Sequence, residues 1–491
     1  MRPIFAIAAL LAPAVFLGAA PAPKSAPAWT MLGGSPNRNM ASHTARDLPD
    51  RWDLQTKVNI KWVAEIGSRS FCQPVIAGDK VLIATNNEHP RNPRDRGQPT
   101  DDNPEGSPLD KGVLMCFRAS DGKFLWQHVN DKLDDPVAND WPRYGVCSTP
   151  CVEGDRLYYV TNRGELVCLD VDGFANGNQG VQDEQYQDAT DADVIWRLDM
   201  VKELGVQPHR MSASSPIIAG DLLFVITGNG VDTDKTGVPA PDAPSFVAIN
   251  KKTGKVAWKD ASPGTNILHG QWSSPAYGEI EGMPQVVFGG GDGWLRGFEP
   301  KSGRQLWAFD ANLPGVPVVQ RSFFVAMPVI AGGRIYVGTG ANPEYSGGPG
   351  VLWCLAPKSG RVEVIWRLGD TAGPTASGRY AFGRTISTCA VHDGLVYAAE
   401  LNGFIRCLDA ASGKRYWEHD LKATVWGSSL WADRRIYIGT EDGDIWVFAH
   451  GKEKKILAKN EMGEPVYATP AVVNDMLFIA TSSHLHALRK P

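Results

Sequence analysis

Residues 395–417 read LVYAAELNGFIRCLDAASGKRYW, and this stretch decides the fold. Its first run, LVYAAELN, is apolar and aromatic before it turns small and polar. That is how a buried strand reads, because β-branched and aromatic side chains suit a packed, pleated surface. The second run, FIRCLD, has apolar residues in its second and fifth places and a small residue in the fourth. Gly413 follows, and Trp417 stands four residues beyond it. The glycine supplies the left-handed conformation of a tight hairpin. The indole brings a large apolar area to bury between neighbouring units.

The first run recurs from Lys80, Arg156, Leu222, Gln285, Arg334, Arg435 and Met476. The second recurs from Val113, Glu165, Ser245, Trp294, Val351, Asp444 and His484. The Gly-to-Trp offset recurs at Gly122 and Trp126, Gly254 and Trp258, Gly303 and Trp307. A Pro-containing strand before each first run, as at residues 73–77 and 216–219, makes four strands per unit. Leu395 to Arg435 is 40 residues and Arg435 to Met476 is 41, which fits a four-stranded propeller blade of about 40–45 residues. Wider spacings are loop insertions. The sequence therefore predicts an all-β, eight-bladed β-propeller of four-stranded antiparallel blades. The last unit supplies three strands, whereas NIKWVAEI at residues 59–66 has the outer-strand pattern, with Trp62, and no unit of its own. It is expected to complete the last blade and close the ring. In the unit around Arg435, Ile456 and Leu457 stand where a Trp is expected.

Composition agrees with a large folded core: 43% of the residues are hydrophobic and 21% charged. The formal net charge is −5 with no basic run, so a nucleic-acid footprint is not supported. No polybasic or amphipathic membrane-binding segment is visible either. The N-terminus reads as an export leader, with Arg2, an apolar stretch at residues 4–17, and small residues Gly18-Ala19-Ala20 or Ala20-Pro21-Ala22 for cleavage. The stretch is shorter than the roughly 20 residues of a spanning helix, and no cysteine precedes Cys72 to carry a lipid. Residues 1–22 are thus expected to be a signal peptide and 23–491 a single propeller, periplasmic or extracellular, without a stable membrane anchor.

The units around Ser148-Thr149-Pro150, residues 164–170 and residues 411–417 resemble the repeats of the pyrroloquinoline-quinone-like (PQQ-like) β-propeller family, within the quinoprotein alcohol dehydrogenase-like superfamily. The segment WTMLGGSPNRNM at residues 29–40 resembles the start of exported members. The resemblance covers nearly all of the predicted mature chain and implies one of two functions. Quinoprotein dehydrogenases of that family hold PQQ on the axis with calcium and oxidise alcohols or sugars. Other members are non-catalytic and bind proteins, as does the assembly lipoprotein of outer-membrane β-barrels. This sequence has no adjacent cysteines to cover a quinone and no Cys-x-x-Cys-His haem attachment. The family's calcium-binding and catalytic Asp positions find no match. The leading expectation is a non-catalytic propeller that binds an anionic small molecule or an envelope protein; the rival is a PQQ-dependent dehydrogenase.

Strand order puts the outer-to-inner connections and the insertions at residues 88–111, 230–244 and 342–350 on one face, and the insertion at 171–193 on the other. The inward connections carry the candidate ligand-binding residues Arg143, Tyr144, His209, Arg210, His269, Gln271, Trp272, Arg384 and Trp426, with Trp141, Arg321, Arg379 and Tyr467 beside them. Converging arginines favour an anion through charge-assisted bonds, and an indole can stack on a planar ligand. No catalytic residue and no metal ligand is assigned. Asp170, Asp172, Asn176 and Asn178 read as a solvated acidic loop, since their spacing misses the EF-hand pattern. Cys116, Cys168, Cys354 and Cys407 occupy the small-residue place of the third strand and are expected to pack. If the remaining cysteines form a disulfide, Cys72 with Cys147 leads, because they precede equivalent strands of adjacent blades.

Overall fold

The computed structural model describes residues 28–133, 141–343, 348–358, 360–370 and 379–491. The leader expected at residues 1–22 lies outside them. Eight four-stranded antiparallel sheets form a ring. Blade 6 is typical, running outward from the axis as Ala390–His392, Leu395–Ala399, Phe404–Asp409 and Arg415–Asp420. Blade 8 takes its outer strand from the other end of the chain. Ile60–Glu65 pairs antiparallel with His484–Leu488, and Trp62 lies opposite Ala487.

The repeat's small residue and its Trp explain one another. Across each outer strand pair the indole faces Cys116, Cys168, Ala248, Gly297, Cys354 or Cys407, opposite Trp126, Trp196, Trp258, Trp307, Trp366 and Trp417 in turn. A larger partner would displace the ring. In six blades the indole N–H then donates to a carbonyl of the next blade. Trp62 reaches Ala119 at 2.9 Å, Trp126 Val171 at 3.1 Å, Trp196 Lys251 at 3.0 Å, Trp258 Pro300 at 2.8 Å, Trp366 Ala410 at 3.0 Å and Trp417 Gly451 at 3.0 Å. In blade 7 the outer-strand position opposite Val447 belongs to Ala458, not to Ile456 or Leu457. Trp52, from the N-terminal segment, is buried in the same apolar cluster as Ala458, with its indole N–H 3.2 Å from Met462 Sδ.

The insertion at residues 171–193 does not stay on the face opposite the others. It starts there, with Asp172 paired to Lys80 at 2.7 Å, then climbs the flank of blade 1. Gln127 and Asp191 form a parallel bridge. Arg94, from the insertion at 88–111, lies over the Tyr186 ring at 3.8 Å and pairs with Asp188 at 2.7 Å and with Asp191. A buried edge strand is thereby covered, which relieves the ring of an open pairing surface.

The N-terminal segment stoppers the axis. Ala28–Trp29 pairs with the inner strand of blade 1, and Ala41–Ser42 runs parallel to that of blade 7. Between them the chain bonds to blade after blade. Gly33 N–H donates to Gln73 Oε1 (2.8 Å), Val152 N–H to Thr30 O (2.8 Å), Tyr277 N–H to Pro36 O (2.8 Å), Ile330 N–H to Asn37 O (3.0 Å) and Trp431 N–H to Met40 O (2.8 Å). Asn39 exchanges two bonds with the Val391 backbone, each 2.8 Å. Arg38, fully buried, donates to Pro275 O at 2.8 Å, Ser215 O at 2.7 Å and Pro216 O at 3.0 Å. One end of the central channel is closed.

Candidate functional site

Above this stopper the inner strands build a blind funnel of about 170 Å³. Its wall is a ring of equivalent positions, one per blade: Phe71, Cys147, Ala213, Trp272, Val325, Ile386, Trp426 and Tyr467. Two residues further along each connection, just ahead of the inner strand, lies a second ring. It contributes Thr149, Ser215, Ser274, Met327, Ser428 and Thr469 to the lining, and Leu32 of the N-terminal segment lies below. The second ring also staples the blades together. Gln73 N–H donates to Thr149 Oγ1 (3.1 Å), Thr149 N–H to Ser215 Oγ (2.9 Å), Ser215 N–H to Ser274 Oγ (2.8 Å), Met327 N–H to Thr388 Oγ1 (3.2 Å), Thr388 N–H to Ser428 Oγ (2.9 Å) and Ser428 N–H to Thr469 Oγ1 (2.7 Å). The chain of bonds breaks at blade 5 and at blade 1, where Met327 and Gln73 have no hydroxyl. This is the physical content of the Ser-Thr-Pro signature.

The aromatic residues form a continuous arc. Trp426 meets Tyr467 at 5.7 Å, Tyr467 meets Phe71 at 5.2 Å, and Phe71 stacks on Tyr144 at 5.4 Å and 15°. Trp141 joins Tyr144 at 4.9 Å to Trp272 at 5.6 Å. Trp426 is fixed by its indole N–H, which donates to Glu441 at 3.2 Å. Tyr144, Trp272 and Trp426, with Trp141 and Tyr467, are thus brought together.

The other expected residues lie elsewhere. His209 and His269 meet edge to face at 4.3 Å behind Trp272, whose indole N–H donates to His209 O at 3.3 Å. Burial holds both imidazoles neutral, at about 4 for His209 and about 3 for His269. Gln271 binds loop backbone, with its amide on Asn229 O at 2.9 Å and its carbonyl accepting from Gly291 N–H at 3.2 Å. Arg143 is exposed and pairs with Glu88 at 3.3 Å. Arg321 makes two bonds to Asp310, at 2.7 and 2.8 Å, and Arg379 pairs with Glu418. Arg210 and Arg384 are half-buried on their connections and do not line the funnel. Arg69 lies over the Tyr144 ring, 4.5 Å from its centre.

Sequence reading missed Phe71, Cys147 and the hydroxyl ring. Aligning the residue two before each inner-strand hydroxyl would have found them. No disulfide links any of the eight cysteines. Cys147 faces the funnel, whereas Cys72 is fully buried with its Sγ 3.2 Å from Gln73 O and does not line it. Asp170 pairs with Arg156 at 2.7 Å, so the acidic loop's first carboxylate has a partner.

A closed ring of eight blades around a blind, aromatic-walled axial funnel defines an eight-bladed β-propeller. The chain belongs to the PQQ-repeat family whose model, described as outer membrane protein assembly factor BamB, matches residues 180–343 and 349–490. It is similar to a polyvinylalcohol dehydrogenase of a Pseudomonas species, 29% identical over 289 residues, 53% of this chain and 38% of that one. It therefore spans well under half the length of that relative. Among solved structures, BamB from Moraxella catarrhalis superposes with a TM-score of 0.53 at 15% identity, over 87% of this chain and 97% of that chain. A quinohemoprotein alcohol dehydrogenase from Pseudomonas putida HK5 superposes with a TM-score of 0.62 at 13% identity, over 94% and 81%. At these identities the structures share the fold.

The funnel does not fit a calcium-held quinone. Calcium takes about six to eight oxygen ligands, with carboxylates prominent among them, and no carboxylate lines the funnel among the described residues. Its polar lining is hydroxyl and thiol.

Proposed function

We propose that this is an exported, non-catalytic binding propeller whose funnel takes an anionic ligand with a planar, apolar body, free or presented by a protein partner. The observation that carries the proposal is at the base. Ser215, Ser274, Ser428 and Thr469 each accept a backbone N–H, and no acceptor for their own protons is found among the described residues. Just below them lies the buried Arg38 guanidinium, bonded only to carbonyls. Donors and a positive charge without a carboxylate favour an acceptor-rich anion. The aromatic arc supplies faces for a flat body. The family match to BamB supports the binding role, and the leader sequence supports export.

The test is quenching of tryptophan fluorescence by two calcium-free probes, benzene-1,2,4-tricarboxylate and PQQ. Both should bind, more weakly as salt is raised, and Trp272→Ala should weaken binding about tenfold, the worth of one aromatic contact. If neither anion binds, the proposal fails. The rival reading, a PQQ-dependent dehydrogenase, draws on the similarity to polyvinylalcohol dehydrogenase. It would replace ours if PQQ binds only with calcium and the complex then reduces dye with an alcohol or sugar.

A further inference from the structure

A larger chamber lies on the flank, between blades 1 and 2. It measures about 510 Å³, inside the range of about 300–1,000 Å³ typical of small-molecule sites. One wall is the outer strand of blade 1, Phe124–Asp131, and the facing wall comes from Glu165–Asp170 and Val194–Asp199 of blade 2. The insertion at residues 171–193 forms its outer side, and the Arg94 contacts with Tyr186, Asp188 and Asp191 hold it there. At this blade interface, therefore, the usual short hairpin is replaced by a long arm, and the space beneath the arm is left open.

The lining is polar and near electrical balance, with three cationic side chains against four carboxylates. Lys132, Arg163 and Arg197 face it, as do Asp131, Glu165, Glu184 and Asp191. Most of these charges have partners. Arg163 donates to Lys132 O at 2.7 Å, Glu184 accepts from Asn178 at 3.2 Å, and Asp191 is paired with Arg94. Two groups are less committed. Among the described residues, the ion-pair partner of Glu165 is Arg163 Nε at 3.9 Å and that of Arg197 is Asp183 at 3.6 Å, itself largely in solvent. His128, whose Nδ1 lies 2.6 Å from the Tyr159 hydroxyl, sits on the wall without a charge, because burial pulls it down to about 4. Val129, Val167, Ala192 and Val194 put small apolar patches among these groups.

We infer that this chamber binds a neutral, polyhydroxylated ligand, a saccharide or polyol. Hydroxyls donate to one lining group and accept from the next, so a carboxylate and a guanidinium are both satisfied without adding charge. A charged ligand would leave one sign of the lining unmatched. The C–H faces of a sugar suit the valine patches. The inference does not depend on what the axial funnel binds.

Calorimetry and saturation-transfer NMR with maltose, cellobiose and trehalose test it, with maltose-derived oligosaccharide as a second arm to separate free sugar from a glycan end. At least one should bind at millimolar concentration. Glu165→Gln and Arg197→Ala should each weaken binding by about five- to tenfold, the loss of one hydrogen bond. Far-ultraviolet circular dichroism and the thermal midpoint should be unchanged in both variants, which shows that they are folded. Wild-type protein that binds none of these sugars, or variants that bind as well as wild type, would overturn the inference; the chamber would then hold water only.

Discussion

His209 and His269 show what burial does to a single side chain. Both rings are nearly inaccessible, and Arg210 and Lys235 lie close enough to disfavour a further positive charge. Their folded pKa values, about 4 and about 3, lie below the ordinary 6.5. An unfolded chain therefore binds more protons than the folded one between about pH 6.5 and those values. Stability is fully present above pH 6.5 and falls on acidification through that window. His269→Phe keeps a ring against Phe323, which it stacks upon at 9°, and removes one titrating group. Denaturant midpoints between pH 7 and pH 4 should fall less steeply in the variant; equal slopes would contradict the assignment. At this scale the sequence shows the aromatic funnel residues because they are large and stand just before an inner strand. It does not show where an arginine points. Arg143, Arg321 and Arg379 stand on the same kind of inward connection as Trp272, yet each finds a carboxylate partner. A long flexible side chain is directed by its neighbours, which belong to distant parts of the chain.

Between elements, the turn glycines answer to two constraints at once. Gly254 has φ +69°, and a Cβ there would lie 2.7 Å from the Trp196 ring of the preceding blade. Gly122 and Trp62, Gly303 and Trp258, and Gly413 and Trp366 repeat the arrangement. The hairpin reading explains only the torsion; the close approach is visible only once blades are side by side. Gly220, at φ +60° with nothing within 4 Å, isolates the torsion. Gly220→Ala should cost about 1–2 kcal/mol. Gly254→Ala should cost a further 1–3 kcal/mol or so for overpacking. Urea unfolding of the two variants measures the difference, and equal losses would show that the indole gives way freely. Strand order alone misplaces the arm at residues 171–193 for a related reason. Strand order fixes where a loop leaves the sheet, but its course depends on Arg94, which lies in another insertion.

The ring as a whole is closed by a single strand. Trp62 does in that strand what Trp258 does in blade 3: each donates to the next blade, to Ala119 O and to Pro300 O. The local loss on truncation should be about 3–5 kcal/mol for the buried Trp62 and smaller for the half-buried Trp258. Their global consequences should differ. The Trp258 strand is tied to its blade by a hairpin, whereas Ile60–Glu65 reaches His484–Leu488 across the whole length of the chain. Losing the Trp62 anchor therefore loosens the seam, and the freed entropy of the N-terminal segment favours opening. Hydrogen exchange should show Trp62→Ala losing protection at Ile60–Glu65 and His484–Leu488 together, ahead of every other blade. Trp258→Ala should leave those same amides protected. If both variants exchange alike at the seam, closure is held by backbone pairing alone and the indole contributes only to its own blade.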